Sequence, residues 1–126
     1  MAKILLVEPD KQLANTIKRA LEHFGHSINT CGTAQSAIHA TDTDQPEIIV
    51  LELQLPIHNG IEFLYELRSY LDWQKLPIII HSQVPPTIKA ISPMLWDQLR
   101  ITAYLYKPHT RLADLADTIG NTLVAA

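Results

Sequence analysis

The residues of this chain that could do chemistry stand at the ends of short apolar runs. Glu8 and Asp10 flank Pro9 directly after Lys3-Ile4-Leu5-Leu6-Val7. Glu52 closes Pro46-Glu47-Ile48-Ile49-Val50-Leu51, Ser82 closes Leu76-Pro77-Ile78-Ile79-Ile80-His81, and Lys107 precedes Pro108 after Thr102 to Tyr106. Brought together, three carboxylates, a hydroxyl and an ammonium would form charge-assisted hydrogen bonds around an acidic centre. The Glu8-Pro9-Asp10 triplet would repel an anion, and no glycine-rich phosphate loop follows the first run. That argues against a ligand-binding domain of the flavodoxin type, which stays as a rival. His81 reads as a satisfied or core-facing histidine, without a Cys or His partner at metal spacing. His23 and His26 flank Gly25 and read as a solvated turn. Cys31, the only cysteine, reads as a small apolar filler at a strand end, and no intramolecular disulfide can form.

The elements that must position these residues follow from patterning. The three runs are rich in β-branched residues and bounded by turn signals, the mark of strands buried on both faces. Between them Leu13, Ile17, Ala20, Leu21 and Phe24 fall at helical spacing, with Asp10 placed to cap the helix and Gly25 to end it. Ile61, Leu64, Leu67, Arg68 and Leu71 form a second stripe, with the Arg68 stem along its edge, and Leu112, Leu115, Ile119 and Leu123 a third. Ser27 to Cys31 and Thr102 to Tyr106 complete the strands, and Thr33 to Ala40 makes a short helix. Five alternations of strand and helix require a parallel sheet with right-handed crossovers, hence an α/β doubly wound fold of five strands. In such sheets the site lies beyond the carboxyl ends of the strands, where Glu8, Asp10, Glu52, Ser82 and Lys107 all fall.

Composition narrows the classes. The 126 residues are 47 % hydrophobic and 18 % charged, with formal net charge −3, which suits one globular domain over residues 1–126 and neither disorder nor a membrane span. No Lys or Arg run could track a phosphate backbone, so nucleic acid is not expected as a direct partner. The apolar run at Ile4–Val7 is too short for a signal peptide, and a cytoplasmic location is expected.

Four ordered blocks then resemble the receiver domains of two-component response regulators: Lys3 to Glu8, Pro46 to Pro56 followed by Asn59-Gly60, Pro77 to Ser82, and Tyr104 to Pro108. The resemblance spans essentially the whole chain and implies a flavodoxin-like sheet of order 2-1-3-4-5 with five helices. In that family two acids after the first strand hold magnesium, an aspartate ending the third strand accepts phosphate, a Ser or Thr after the fourth contacts the phosphoryl group, and a lysine before proline pairs with it. Ser82 and Lys107 match, Glu8 matches as an acid, and Tyr104 matches the aromatic switch residue. Two positions depart. Pro9 stands at the second metal acid and Glu52 at the phosphoacceptor.

Proline offers neither a carboxylate nor an N–H, so magnesium binding is expected to be weak or absent, and no other cofactor is implied. Asp10 could substitute as an acid of the pocket, but capping suits it better. Glu52 keeps the charge on a longer stem, which suggests either a standing mimic of the phosphorylated aspartate or drift after phosphorylation was lost. The expected function is thus an interaction module of two-component or phosphorelay signalling, not an enzyme, with weak or no phosphorylation; a working phosphoacceptor is the alternative. The partners implied are a histidine kinase, a phosphotransfer protein, an output protein, or a second copy of the chain. The stretch from Val84 to Arg100 departs most from the family. Ser92 and Pro93 predict a short, late fourth helix. Met94, Leu95, Trp96 and Leu99 give that segment an apolar face, either core or a docking site, with Trp96 the residue to watch as an aromatic anchor. Tyr104 and Tyr106 share one face of the last strand.

Overall fold

The computed structural model describes residues 2–86 and 92–125. Strands β1 (Lys3–Val7), β2 (Ser27–Cys31), β3 (Ile48–Leu51), β4 (Ile78–Ser82) and β5 (Ala103–Tyr106) alternate with helices α1 (Lys11–His23), α2 (Ala34–Asp44), α3 (Gly60–Ser69), α4 (Pro93–Gln98) and α5 (Leu112–Ala125). All strand pairs are parallel, in the order β2-β1-β3-β4-β5. The doubly wound five-strand reading is therefore the observed fold, and the reversal of strand order falls between β1 and β3.

Side chains alternate across each strand, so the sheet has two apolar faces. Leu5, Val7, Ile49, Leu51, Ile78 and Ile80 pack under Ala37 of α2 and Phe63, Leu64 and Leu67 of α3. Ile4, Leu6, Ile48, Val50 and Ile79 pack under Ala14, Ile17 and Leu21 of α1 and Leu115 and Ile119 of α5. The three central strands are buried at every position but Lys3, which is why they read as continuous apolar runs rather than as alternating ones.

Caps set the helix boundaries. The Asp10 carboxylate accepts from the N–H of Gln12 and Leu13, and the helix ends before Gly25 at φ 91°. Thr33 and Ser36 form a capping box for α2, Asn59 and Glu62 another for α3, and Ser92 caps α4 with Pro93 in its first turn. The fourth helix is short and late, as expected, although residues 87–91 of that stretch lie outside the described residues. Three stripe residues depart from the expectation, one of them Leu112, the first residue of α5, at 37 % exposure. Phe24 is 58 % exposed and Leu71 is 84 % exposed. Phe24 is the C-cap of α1, and Leu71 begins a separate 3-10 turn after α3 has ended, so the helical period no longer carries either onto the sheet. α2 also runs past Ala40 to Asp44, ending at Gln45 in a left-handed conformation.

Arg68 does more than lie along an edge. Its guanidinium donates to the carbonyl oxygens of Leu99 at 2.8 Å, Trp73 at 2.6 Å and Arg100 at 3.1 Å. It thereby ties the end of α3 to the turn that leads into β5, and burial lowers its pKa to about 10.

Candidate functional site

Strand register brings the candidate residues to one edge. Val7 pairs with Leu51, Leu51 with Ile80, and Ser82 with Tyr106, so Glu8, Glu52, Ser82 and Lys107 leave neighbouring strands at nearly the same level. The backbone fixes two of them directly. Glu8 N–H donates to Cys31 O at 2.9 Å, and Glu52 N–H donates to Val7 O at 3.0 Å. Behind Glu52, α3 comes so close that a Cβ on Gly60 would lie 2.8 Å from Leu53 Cα and 3.1 Å from Glu52 O. Gly60 is thus a steric requirement of the site's floor.

The Glu52 carboxylate is surrounded by donors. Lys107 Nζ lies 2.6 Å from its Oε1, which also accepts from Gln83 N–H at 3.2 Å. Oε2 accepts from Gln54 N–H at 3.0 Å and from the Ser82 hydroxyl. Ser82 Oγ in turn accepts from Val84 N–H at 3.0 Å. Burial alone would favour the neutral acid, but the bonds from Lys107, Ser82 and Gln54 outweigh it and hold the Glu52 carboxyl below its ordinary range.

Lys107 serves a second acid. Its Nζ is also 2.6 Å from Glu8 Oε1, and Glu8 Oε2 accepts from Asp10 N–H at 3.2 Å. Glu8, Glu52 and Ser82 are buried, at 4 %, 3 % and 0 % exposure. One ammonium therefore bridges two dehydrated carboxylates, leaving a net charge of −1 in the crevice. Burial pulls the Lys107 pKa down, but the hydrogen bonds its ammonium donates to Glu52 and Glu8 more than offset it and set it above its ordinary value.

Not every candidate arrives. Asp10 is exposed and its carboxylate caps α1, so the crevice holds two carboxylates rather than three. Pro9 separates them from the cap and supplies no ligand. Tyr104 stands on β5 opposite Ile80 and forms no hydrogen bond to Glu52 among the described residues. Its hydroxyl donates to Val84 O, and its ring stacks on Trp96 with centroids 5.9 Å apart and an interplanar angle of 22°. Trp96 is therefore half-buried against the sheet, which favours the core over the docking site of the two readings open for its face. Tyr106 shares the strand face but meets His109 edge-on at 5.0 Å. His81 is core-facing as expected, yet not satisfied, since its Nδ1 has no hydrogen-bond partner among the described residues. Burial, with Lys107 nearby, lowers its pKa to about 4. His26 accepts from Ala2 N–H at 3.2 Å, which makes it part of a strand junction rather than a purely solvated turn. Burial raises the Cys31 thiol to about 11, as befits a filler.

Sequence reasoning missed the backbone donors, the N–H groups of Gln54 and Gln83, because a main-chain donor carries no signal in residue type. A hard dication takes several oxygen ligands. Here the Glu8 carboxylate is engaged by Lys107 and the Asp10 N–H, Pro9 offers no oxygen ligand on its side chain, and the Asp10 carboxylate turns to a helix. No group of three or more His, Cys, Asp or Glu side chains is arranged to hold a metal among the described residues. These residues do not fit the magnesium site implied by the family resemblance.

Comparison with known proteins agrees with the architecture. The family model for the response regulator receiver domain matches residues 4–119. Relatives include the KDP operon transcriptional regulatory protein KdpE of Escherichia coli, 33 % identical over 65 % of this chain and 35 % of its own length. The alginate biosynthesis transcriptional regulatory protein AlgB of Pseudomonas aeruginosa is 28 % identical over 80 % of this chain and 25 % of its own. The chain thus spans about a third or less of these curated relatives. Among solved structures, a CheY-like receiver domain protein from Methanospirillum hungatei superimposes with TM-score 0.87 at 19 % identity, covering 99 % of this chain and 95 % of that one. A response regulator from Chloroflexus aurantiacus gives 0.85 at 20 %, covering 98 % of each.

Proposed function

Because the chain belongs to the response regulator receiver domain family, we propose that it serves two-component signalling as a protein-interaction module whose crevice works with weak or no phosphorylation and without magnesium. The observation that carries this reading is the occupancy of the Glu52 carboxylate. It accepts from Ser82, Lys107, Gln54 N–H and Gln83 N–H together, so the residues that would otherwise meet a phosphoryl group already meet a carboxylate. Mimicry explains that engagement better than drift does, since drift requires only that the charge be tolerated. The inward position of Tyr104, bonded to Val84 O and stacked on Trp96, supports a standing signalling conformation on the β4–β5 side.

In this reading no residue is a catalyst. Glu8 and Lys107 hold Glu52 in place, and Ser82 relays its position to the loop that carries Val84. The partners are signalling proteins, a kinase, a phosphotransfer protein or an output protein, with no direct contact to nucleic acid. The proposal includes one domain over residues 1–126 and a cytoplasmic location; among the described residues no helix is long and apolar enough to cross a membrane.

The test is incubation with magnesium and acetyl phosphate, read by intact mass. The unchanged mass of the wild-type chain is the expected result. An acid-stable, base-labile mass increase would show a working acceptor and overturn the proposal. In parallel, Glu52→Gln should shift the Trp96 and Tyr104 resonances in two-dimensional NMR, and unchanged spectra there would favour drift.

A further inference from the structure

Away from the crevice, α2 and α3 diverge over a groove of about 870 Å³. Its wall carries Asp42 from α2, Glu62 and Glu66 from α3, and Asp72 from the 3-10 turn, and no lysine or arginine among the described residues lines it. Four carboxylates on one surface of a chain whose whole formal charge is −3 concentrate negative potential there. Glu62 is partly engaged, capping α3 and meeting His58 at 3.1 Å. Asp42, Glu66 and Asp72 form no side-chain hydrogen bond or ion pair among the described residues. Glu62 and Glu66, four apart on one helix, repel each other in the free protein.

The floor and ends are not acidic. Phe63 lies beneath, and Tyr70 and Trp73 form a tilted aromatic pair with centroids 4.8 Å apart at one end. Leu71, between two lining residues, is 84 % exposed, and Ile57, next to the lining residue His58, is 89 % exposed. Ile57 has φ 70°, a conformation that a β-branched residue adopts only when its surroundings impose it. A second depression of about 300 Å³ shares Asp42, Asp72 and Trp73 and extends the groove past Pro46. The acids are not gathered as metal ligands among the described residues. A groove with aromatic lining, acids free of ion pairs among the described residues and exposed apolar residues next to it in sequence complements a cationic chain, which would place ammonium or guanidinium groups against both carboxylates and ring faces.

We propose that the α2–α3 groove docks a basic amphipathic segment of a partner protein, with its lysines or arginines on Asp42, Glu66 and Asp72 and apolar residues on Leu71 and Ile57. This interaction does not depend on the state of Glu52, so it stands or falls separately from the preceding proposal. The test uses a synthetic amphipathic peptide with lysine and arginine on one face and leucine on the other, titrated into the full chain carrying Trp96→Phe, so that Trp73 is the sole indole. Saturable change in Trp73 emission is expected, weakening as salt screens the exposed charges. The Asp42→Asn, Glu66→Gln, Asp72→Asn variant should bind about tenfold more weakly, the scale of three exposed ion pairs. Glu22→Gln, Glu47→Gln, Asp97→Asn changes net charge equally at other exposed positions and should bind like the parent. Circular dichroism checks that both variants fold. Three results would overturn the proposal: no saturable binding, equal binding of the same peptide with glutamate at every basic position, or equal weakening by the two triple variants.

Discussion

Lys107 is the residue on which the crevice depends. Its ammonium is bonded to two carboxylates that are nearly dry, with side-chain exposures of 2 % for Glu8 and 4 % for Glu52. Removing one partner of a buried ion pair leaves the other charge unpaired, which costs more than the pair itself contributes. Lys107→Met should therefore destabilise the fold by about 3 kcal/mol, measured by urea unfolding. Adding Glu8→Gln and Glu52→Gln should recover much of that loss, because no uncompensated charge then remains. If the single variant is as stable as wild type, the triad is wetter than its burial indicates.

His81 makes the second prediction at this scale, through its proton. In the folded chain its pKa is about 4, against 6.5 when free. Below pH 6.5 the unfolded chain takes up a proton that the folded chain refuses, so stability falls as pH drops from 6.5 to about 4, by about 3 kcal/mol in total, and no further below that. Glu52 acts in the same direction at lower pH. Its folded pKa is depressed, so its contribution is present above its unfolded value and is lost as pH falls through the folded one. Lys107, raised in the fold, loses its contribution only as pH climbs through its folded value. Stability curves at pH 7 and pH 4.5 should then separate widely for wild type and much less for His81→Leu, which removes both the titration and the unpartnered Nδ1. An equal separation in both proteins would place the acid sensitivity elsewhere.

At the scale of elements, much was legible and the failures have a common cause. The strands were readable because burial on both faces forbids polar residues within them, and the helix starts because Asp10, Asn59 and Ser92 are oxygen-bearing caps placed before apolar stripes. Phe24 and Leu71 were misplaced because a period shows which face a residue would take, not where the helix stops. Asp10 was ambiguous for a related reason. A carboxylate after a strand suits a pocket or a cap equally, and only the backbone path past Pro9 decides between them. Trp96 could not be settled from sequence, since its burial depends on how α4 crosses the sheet edge to meet Tyr104. Gly60 is the element-scale position with the sharpest consequence. Any side chain there meets the backbone of Leu53 rather than a movable group, so the start of α3 and the loop carrying Gln54 must shift. Gly60→Ala should cost about 2 kcal/mol, within the range for overpacking. It should also move the amide resonances of Gln54 and Glu52. Loss of stability without those shifts would separate the helix packing from the site.

For the whole molecule, the proposed loss of phosphorylation turns on two requirements that meet at one edge of the sheet. Phosphoryl transfer to a carboxylate needs an acid at the right reach and a dication to offset charge on the incoming oxygens, and this chain changes both requirements at once. Glu52 occupies the donors, Pro9 stands where the resemblance implies a second acid, and Lys107 is shared between Glu8 and Glu52. Either change alone would leave a crippled acceptor. In the reading proposed above, together they leave a crevice of net charge −1 whose donors are already engaged, with the Tyr104 hydroxyl bonded to Val84 O. Restoration should accordingly require both positions. Pro9→Asp alone leaves the Glu52 carboxylate engaged by Ser82 and Lys107, and Glu52→Asp alone leaves too few metal oxygens. The double variant should acquire magnesium-dependent mass labelling from acetyl phosphate, whereas each single variant remains near the wild-type baseline. Labelling of Glu52→Asp without Pro9→Asp would mean that Glu8 and Asp10 suffice for the metal. Absence of labelling in a folded double variant would mean that the pocket is held closed by more than these two residues, with the Lys107 bridge to Glu8 the first contact to release.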